Sequence, residues 1–225
     1  MIKRTLYFGN NAYLHTKDKQ LVIDFSDKEK PQATVPIEDI GVVILDSFHI
    51  TISQTLISRL LNNNVALITC NEQHMPQGLM LNLDGNTIQQ ERFACQVNAS
   101  LPLKKQLWQQ SIKAKIANQR AILLEIGKSE SSPDTKFSIS NNLENMQYWH
   151  DSVRSGDPDN YEARAAAFYW KTIFSDIITD FRRGRFEPDP NNLLNYAYAI
   201  LRAITARSLV ASGLMPTLGI HHHNK

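Results

Sequence analysis

The spacing of apolar residues changes near residue 85, and that change limits what the chain can fold into. Before it, apolar residues come in short runs: Leu6-Tyr7-Phe8, Ala12-Tyr13-Leu14, Leu21-Val22-Ile23-Asp24-Phe25, Ala33-Thr34-Val35 and Gly41-Val42-Val43-Ile44-Leu45. Gly9-Asn10-Asn11, Lys17-Asp18-Lys19 and the stretch from Ser26 to Pro31 punctuate them as turns. Short β-branched and aromatic runs between turn residues read as strands. Their regular spacing predicts an antiparallel sandwich or a small barrel. One helix interrupts them, capped by Thr51 or Ser53, with Leu56, Ile57, Leu60 and Leu61 at helical spacing and Asn62-Asn63-Asn64 at its end. Val65 to Cys70 then reads as a buried strand, and Leu79-Met80-Leu81 as a last one.

Beyond residue 88 the period becomes helical. Trp108, Ile112, Ile116 and Leu123 line one side of residues 103–126. The polar stretch Gly127 to Ser140 breaks that pattern. Further helices are expected near 141–152 and over 160–180, the latter ended by Arg182-Arg183-Gly184-Arg185. A long helix runs from Asn191 to Leu209, with Leu194, Ala197, Ile200, Leu201 and Ile204 inside. The expected class is α+β. A β-rich domain over 1–85 is followed by an α-helical domain over 86–225.

Composition excludes several classes. The 225 residues are 42% hydrophobic and 20% charged, which suits a folded domain and not a disordered chain. No apolar run approaches the roughly 20 residues that span a bilayer, and Met1 to Phe8 has no apolar signal core. Cys70 and Cys95 make no CxxC pair and fit two thiols in a reducing cytoplasm. The net charge of +2 is unevenly spread. Residues 1–88 hold seven basic and nine acidic side chains, and residues 89–225 hold seventeen and thirteen. This balance does not by itself announce a polyanion partner; if nucleic acid binds, the C-terminal half is the expected surface.

Three segments carry candidate chemistry. In Asp157-Pro158-Asp159-Asn160-Tyr161-Glu162, either Asp157 or Asn160 caps a helix, and Glu162 falls near its start, where the helix dipole favours a carboxylate. The small residues from Ala163 to Ala167 permit either close helix packing or a cleft beside a ligand. In Gly213-Leu214-Met215-Pro216-Thr217-Leu218-Gly219-Ile220-His221-His222-His223, Gly213 ends the long helix. Imidazole suits Mn2+ or Zn2+, and His222 paired in space with Glu162 would make a metal site. In Arg182-Arg183-Gly184-Arg185-Phe186, a helix C-terminus accounts for the basic cluster, or phosphate contact does, with Phe186 as a stacking face. HExxH, Walker A and GxSxG motifs do not occur, which disfavours a hydrolase of small substrates.

Taken in order, Asn160-Tyr161-Glu162-Ala163-Arg164-Ala165-Ala166, the stretch from Asp189 to Tyr198, and Gly213 to His222 resemble the universal CRISPR-associated endonuclease of the adaptation stage, the spacer integrase. The His-His-x-Asn form and the short length resemble its type II branch. Pro36-Ile37-Glu38-Asp39-Ile40 and Thr51-Ile52-Ser53 fit as well. The resemblance implies a β-sandwich-like N-terminal domain that dimerises and an all-helical catalytic domain. It implies Mg2+ or Mn2+ held by Glu162 and His222, with His221 as the alternative register. A third acidic ligand is expected beyond Lys225, so the helical domain is expected to be C-terminally incomplete and the 225-residue chain inactive. The implied DNA-binding residues are Arg164, Arg182, Arg183, Arg185 and Tyr196. The implied partners are double-stranded DNA (spacer precursor and CRISPR repeat), a second copy of the chain and a small CRISPR-associated adaptation subunit, with no membrane. The other expectation is a DNA-binding scaffold of the same complex without turnover.

Overall fold

The computed structural model describes residues 3–27, 29–128 and 133–221. The described strands are β1 (Arg4–Phe8), β2 (Ala12–Lys17), β3 (Gln20–Phe25), β4 (Ala33–Pro36), β5 (Ile40–Leu45), β6 (Thr51–Ile52), β7 (Ala66–Cys70) and β8 (Pro76–Met80). The described helices are α1 (Gln54–Asn62), α2 (Gln89–Val97), α3 (Leu101–Lys128), α4 (Pro133–Ser152), α5 (Tyr161–Ile173) and α6 (Asn191–Ala211). No helix among the described residues is long and apolar enough to cross a membrane.

The chain forms two compact units, one of residues 1–97 and 192–218, the other of residues 98–191 and 219–225. Helices α2 and α6 therefore group with the strands, which differs from a single cut at residue 85.

In the first unit the strands form two sheets, ordered β1-β5-β7-β8 and β4-β3-β2-β6. Both are mixed, where the spacing of strands predicts antiparallel pairing throughout. β1 pairs with β5, β5 with β7 and β2 with β6 in parallel. The hairpins β2–β3, β3–β4 and β7–β8 are antiparallel. The reason lies in burial. Strand β5 is buried along nearly all its length, and Ala66, Leu67 and Ile68 of β7 are buried too. Such uninterrupted apolar strands need cover on both faces, as parallel strands have. On one face Ile40, Val43 and Leu67 meet Leu14, Leu21 and Ile23 of the other sheet and Leu56 and Leu60 of α1. On the other face Val42, Ile44, Ala66 and Ile68 pack against Ala203, Ile200 and Ile204 of α6. From Val42 onward, alternate residues of β5 thus feed two different cores, while Ile40 joins the core of Val43 because the register shifts between it and Val42.

Local signals explain the helix ends. Ser53, not Thr51, caps α1, its Oγ accepting the Leu56 N–H at 3.3 Å. Asn64 adopts a left-handed φ of 56°. Val65 N then donates to Leu60 O at 2.9 Å and Asn64 N to Leu61 O at 2.8 Å, which turns the chain into β7. Gly213 ends α6 in the same way at a φ of 71°, with Leu214 N on Leu209 O at 2.8 Å. A Cβ at Gly213 would come within 2.9 Å of Arg92 Cδ. Helix α2, which the spacing of apolar residues does not reveal, supplies the other cap. Arg92 Nη1 donates to Ser212 O at 2.6 Å, and the Gln96 amide exchanges hydrogen bonds with Met215 at 3.0 and 2.8 Å. The inward stripe of α6 also shifts from the expected one: Ala203 and Ala206 are buried, while Leu201 is 56% exposed. Small residues let the helix sit close to the sheet.

In the second unit α3, α4 and α5 enclose a separate core of Ile112, Ile116, Leu123, Leu143, Met146, Tyr161, Ala165 and Tyr169. The expected stripe of Trp108, Ile112, Ile116 and Leu123 faces it. Helix α5 stops at Ile173, short of the expected residue 180. Phe181 packs back on Phe174 at 4.7 Å and on Trp170 at 6.0 Å between ring centroids, folding the chain off the helical path.

Candidate active site

Glu162 stands in the first turn of α5. Asn160 precedes the helix with a φ of 55° and makes no side-chain cap. The cap is Asp157, whose carboxylate accepts the Tyr161 N–H at 3.0 Å and the Glu162 N–H at 2.9 Å. The backbone that carries Glu162 is thus held by a second carboxylate just outside the helix. Both free N–H groups are satisfied, and the negative charge lies where the helix dipole favours it. The Glu162 side chain is 26% exposed and forms an ion pair with Lys115 of α3.

The histidine motif reaches the same helix. The ring of His221 stacks on Trp108 of α3, with centroids 4.4 Å apart and planes within 8°. Trp108 and Lys115 are two helical turns apart, about 10 Å along the axis, on one face of α3. Glu162 and His221 are therefore gathered by α3. His222 lies outside the described residues. Among the described residues no group of three or more His, Cys, Asp or Glu side chains could hold a metal ion. The donor chemistry nonetheless fits a divalent ion: Glu162 is an anionic oxygen donor, partly withdrawn from water and already paired with a cation, and imidazole nitrogens follow His221 in sequence.

The basic cluster is a loop, not a helix terminus, since α5 ends at Ile173. A helix dipole does not explain it. Its organiser is Asn191, only 1% exposed. Asn191 Oδ1 accepts from Arg183 Nη1 at 3.1 Å and Gly184 N at 3.0 Å. Its Nδ2 donates to Arg182 O and Pro188 O, both at 2.9 Å. All four hydrogen-bonding positions of the amide are used inside the loop. Arg183 is half-buried, with its guanidinium 5.7 Å from the Trp170 ring centre. Arg182 and Arg185 are exposed, and Phe186 is 92% exposed with the Arg185 guanidinium 5.5 Å from its ring centre. Arg164 is exposed on α5, 5.3 Å from the Tyr161 ring centre.

Tyr196 belongs to the first unit, on α6. Burial, then the nearby Cys70 and Asp46, raise its hydroxyl above the usual tyrosine range. Asp46 is a buried carboxylate that accepts from the Tyr7 hydroxyl at 2.5 Å and lies 3.0 Å from His74 Nδ1. Burial pushes Asp46 up, but hydrogen bonds from Tyr7, His74 and Cys70 outweigh it and the carboxyl titrates below its ordinary value. In return, the hydrogen bond to Asp46, and then burial, push Tyr7 up to about 12. Burial, then the Asp46 charge, push Cys70 up to about 11.

A family model described as CRISPR associated protein Cas1 matches residues 6–225. The chain belongs to the Cas1 family. The family model describes a CRISPR-associated protein, and similar curated relatives are named CRISPR-associated endonucleases. It is 35% identical over 225 residues to the CRISPR-associated endonuclease Cas1 of Neisseria meningitidis serogroup C (strain 8013), covering 100% of this chain and 68% of that protein. Its fold is similar to a casposase bound to integration product, with a TM-score of 0.68 at 21% identity over 100% of this chain and 66% of that one. It is also similar to a chain of a partial Cas6-RT-Cas1–Cas2 complex, with a TM-score of 0.61 at 20% identity, over 99% of this chain and 68% of that one. The chain thus spans about two thirds of the length of these Cas1 relatives.

Sequence reasoning missed two residues at this candidate site, Lys115 and Trp108. Trp108 reads as part of the apolar stripe of α3, and Lys115 as one of several lysines on its polar side. Neither has a local signal for its partner, since Lys115 and Glu162 are 47 positions apart.

Proposed function

We propose that this Cas1 chain cuts and joins DNA at one divalent-ion site with Glu162 and His222 among its donors. The observation that supports this reading is the shared face of α3, where Lys115 meets Glu162 and Trp108 meets His221. The register of the family motif favours His222 over His221 as the nitrogen donor. Mg2+ or Mn2+ bound there would offset charge on a phosphodiester and orient the attacking hydroxyl, water for cutting or a DNA 3′-OH for joining. Glu162 contributes an anionic oxygen whose backbone is held by Asp157. Arg182, Arg185 and Arg164 contact DNA phosphates, Arg183 holds the loop shape, and Phe186 offers a stacking face. Tyr196 makes a further contact from the first unit.

The proposed substrate is double-stranded DNA, as spacer precursor and as CRISPR repeat. The named relatives, a casposase bound to integration product and a Cas1–Cas2 complex, support a DNA substrate and a small adaptation partner of the Cas2 kind. A homodimer through residues 1–85, in the cytoplasm, completes the proposal.

The test uses the full-length native chain. Glu162→Ala and His222→Ala each abolish Mn2+-dependent cleavage and strand joining while duplex affinity stays within about twofold, because phosphate contacts elsewhere dominate affinity. The double variant is no worse than either single one, as expected of residues that act as a unit. Cleavage retained by either single variant refutes the site. Duplex binding without any cleavage by the unaltered chain, at any Mn2+ concentration, favours the scaffold reading.

A further inference from the structure

We propose that Lys115 is a positioning residue that holds the Glu162 carboxylate while no divalent ion is bound and releases it when one binds, transferring its charge to a DNA phosphate. This rests on Glu162 being an ion ligand, as proposed above. The pair is a tertiary one. Lys115 comes from α3 and Glu162 from α5, and among the described contacts Lys115 is the cation on that carboxylate. The Lys115 side chain is 45% exposed and the Glu162 side chain 26%. The carboxylate is thus the more withdrawn partner, and the ammonium keeps a path to solvent.

Three physical arguments make this an exchangeable contact. An ammonium and a divalent ion compete for the same carboxylate oxygen, and two cations at that distance repel. Lysine offers a point charge on a flexible four-carbon stem, whereas arginine would grip the carboxylate with a planar fork. Ion pairs this exposed are weak, so a divalent ion displaces one readily. The pair keeps the Glu162 carboxylate charge-balanced at its site and so prepares the oxygen for the ion. Once displaced, the ammonium stands beside the position a phosphodiester would take.

The experiment measures Mn2+ binding to the full-length native chain by paramagnetic resonance of the free ion, without DNA. Lys115→Met binds Mn2+ roughly two- to fivefold more tightly than the unaltered chain, the range expected for losing an exposed ion-pair competitor. Lys115→Arg binds it more weakly than the unaltered chain. The second readout is the salt dependence of binding to a nuclease-resistant duplex. Mn2+ steepens the log–log slope by about one in the unaltered chain but not in Lys115→Met, because the released lysine adds one phosphate contact. Mn2+ affinity that is unchanged or weaker in Lys115→Met overturns the proposal, as does a slope that responds to Mn2+ equally in both proteins. Glu162→Gln separates the two levels. If Glu162→Gln leaves Mn2+ affinity unchanged, the ion-ligand assignment itself fails. If it lowers Mn2+ affinity while Lys115→Met changes nothing, only the role of Lys115 fails.

Discussion

Replacing Asn191 with alanine removes the buried amide that organises the basic loop. Four hydrogen bonds disappear at once, to Arg183 Nη1, Gly184 N, Arg182 O and Pro188 O. Each such bond contributes about 0.5–1.5 kcal/mol net, and the one to the guanidinium lies toward the upper end. Arg182 and Pro188 are exposed, so water replaces part of what their carbonyls lose. The expected destabilisation is therefore about 2–4 kcal/mol, a large share of the roughly 5–15 kcal/mol that holds a typical domain together. Three measurements bear on it. Urea unfolding gives the stability change. Hydrogen exchange at the Gly184 amide reports the loop directly, because that N–H is protected by Asn191 Oδ1. Duplex binding weakens as Arg182 and Arg185 lose their fixed presentation. Asn191→Asp adds a control, since it keeps both acceptor bonds and turns both donor bonds into contacts between oxygens. It protects Gly184 but still destabilises. A stability change below about 0.5 kcal/mol, with Gly184 exchange unaltered in the alanine variant, refutes the role given to Asn191.

Asp157→Ala removes the cap of α5 and costs about 1–2 kcal/mol in thermal unfolding. Asp157→Asn costs less, because asparagine tolerates the φ of 50° found there. Arg182→Ala and Arg185→Ala each flatten the salt dependence of duplex affinity by about one in log–log slope, while Arg183→Ala lowers the melting temperature as well. Iodoacetamide near pH 8 labels the exposed Cys95 before Cys70, whose thiol is held up at about 11, and peptide mass spectrometry reads the order. The Asp46 cluster sets both limbs of a stability profile against pH. Tyr7, raised to about 12, contributes stability that is complete below its unfolded value and lost as pH rises through about 12. Asp46, lowered, contributes stability that is present above its unfolded value and lost as pH falls through the folded one. Tyr7→Phe therefore flattens the alkaline limb, as followed by circular dichroism across a pH titration.

Local order was legible in the residues. Strands before residue 81 and most helices after it follow from the direction in which successive side chains point, a property of a few consecutive positions. The stop at Asn64 and the stop at Gly213 are equally local, since each needs a backbone conformation that those residues tolerate. Glu162, the histidine segment and the basic cluster could be named for their residue types. What the residues alone could not decide was partnership. Apolar runs show that β5 and β7 are buried without showing that they pair in parallel, or that α6 covers their second face. Helix α2 has no core stripe to betray it, because its work is done by Arg92 and Gln96 on the end of α6. The extent of α5 was misjudged because Phe181 returns onto Phe174 and Trp170, a contact that competes with helical propensity only in three dimensions. The same holds at the site. Residue chemistry marks which side chains can bind an ion or a phosphate. That α3 gathers Glu162 and His221 through Lys115 and Trp108 follows from packing, because it depends on how helices distant in sequence bury their apolar faces together.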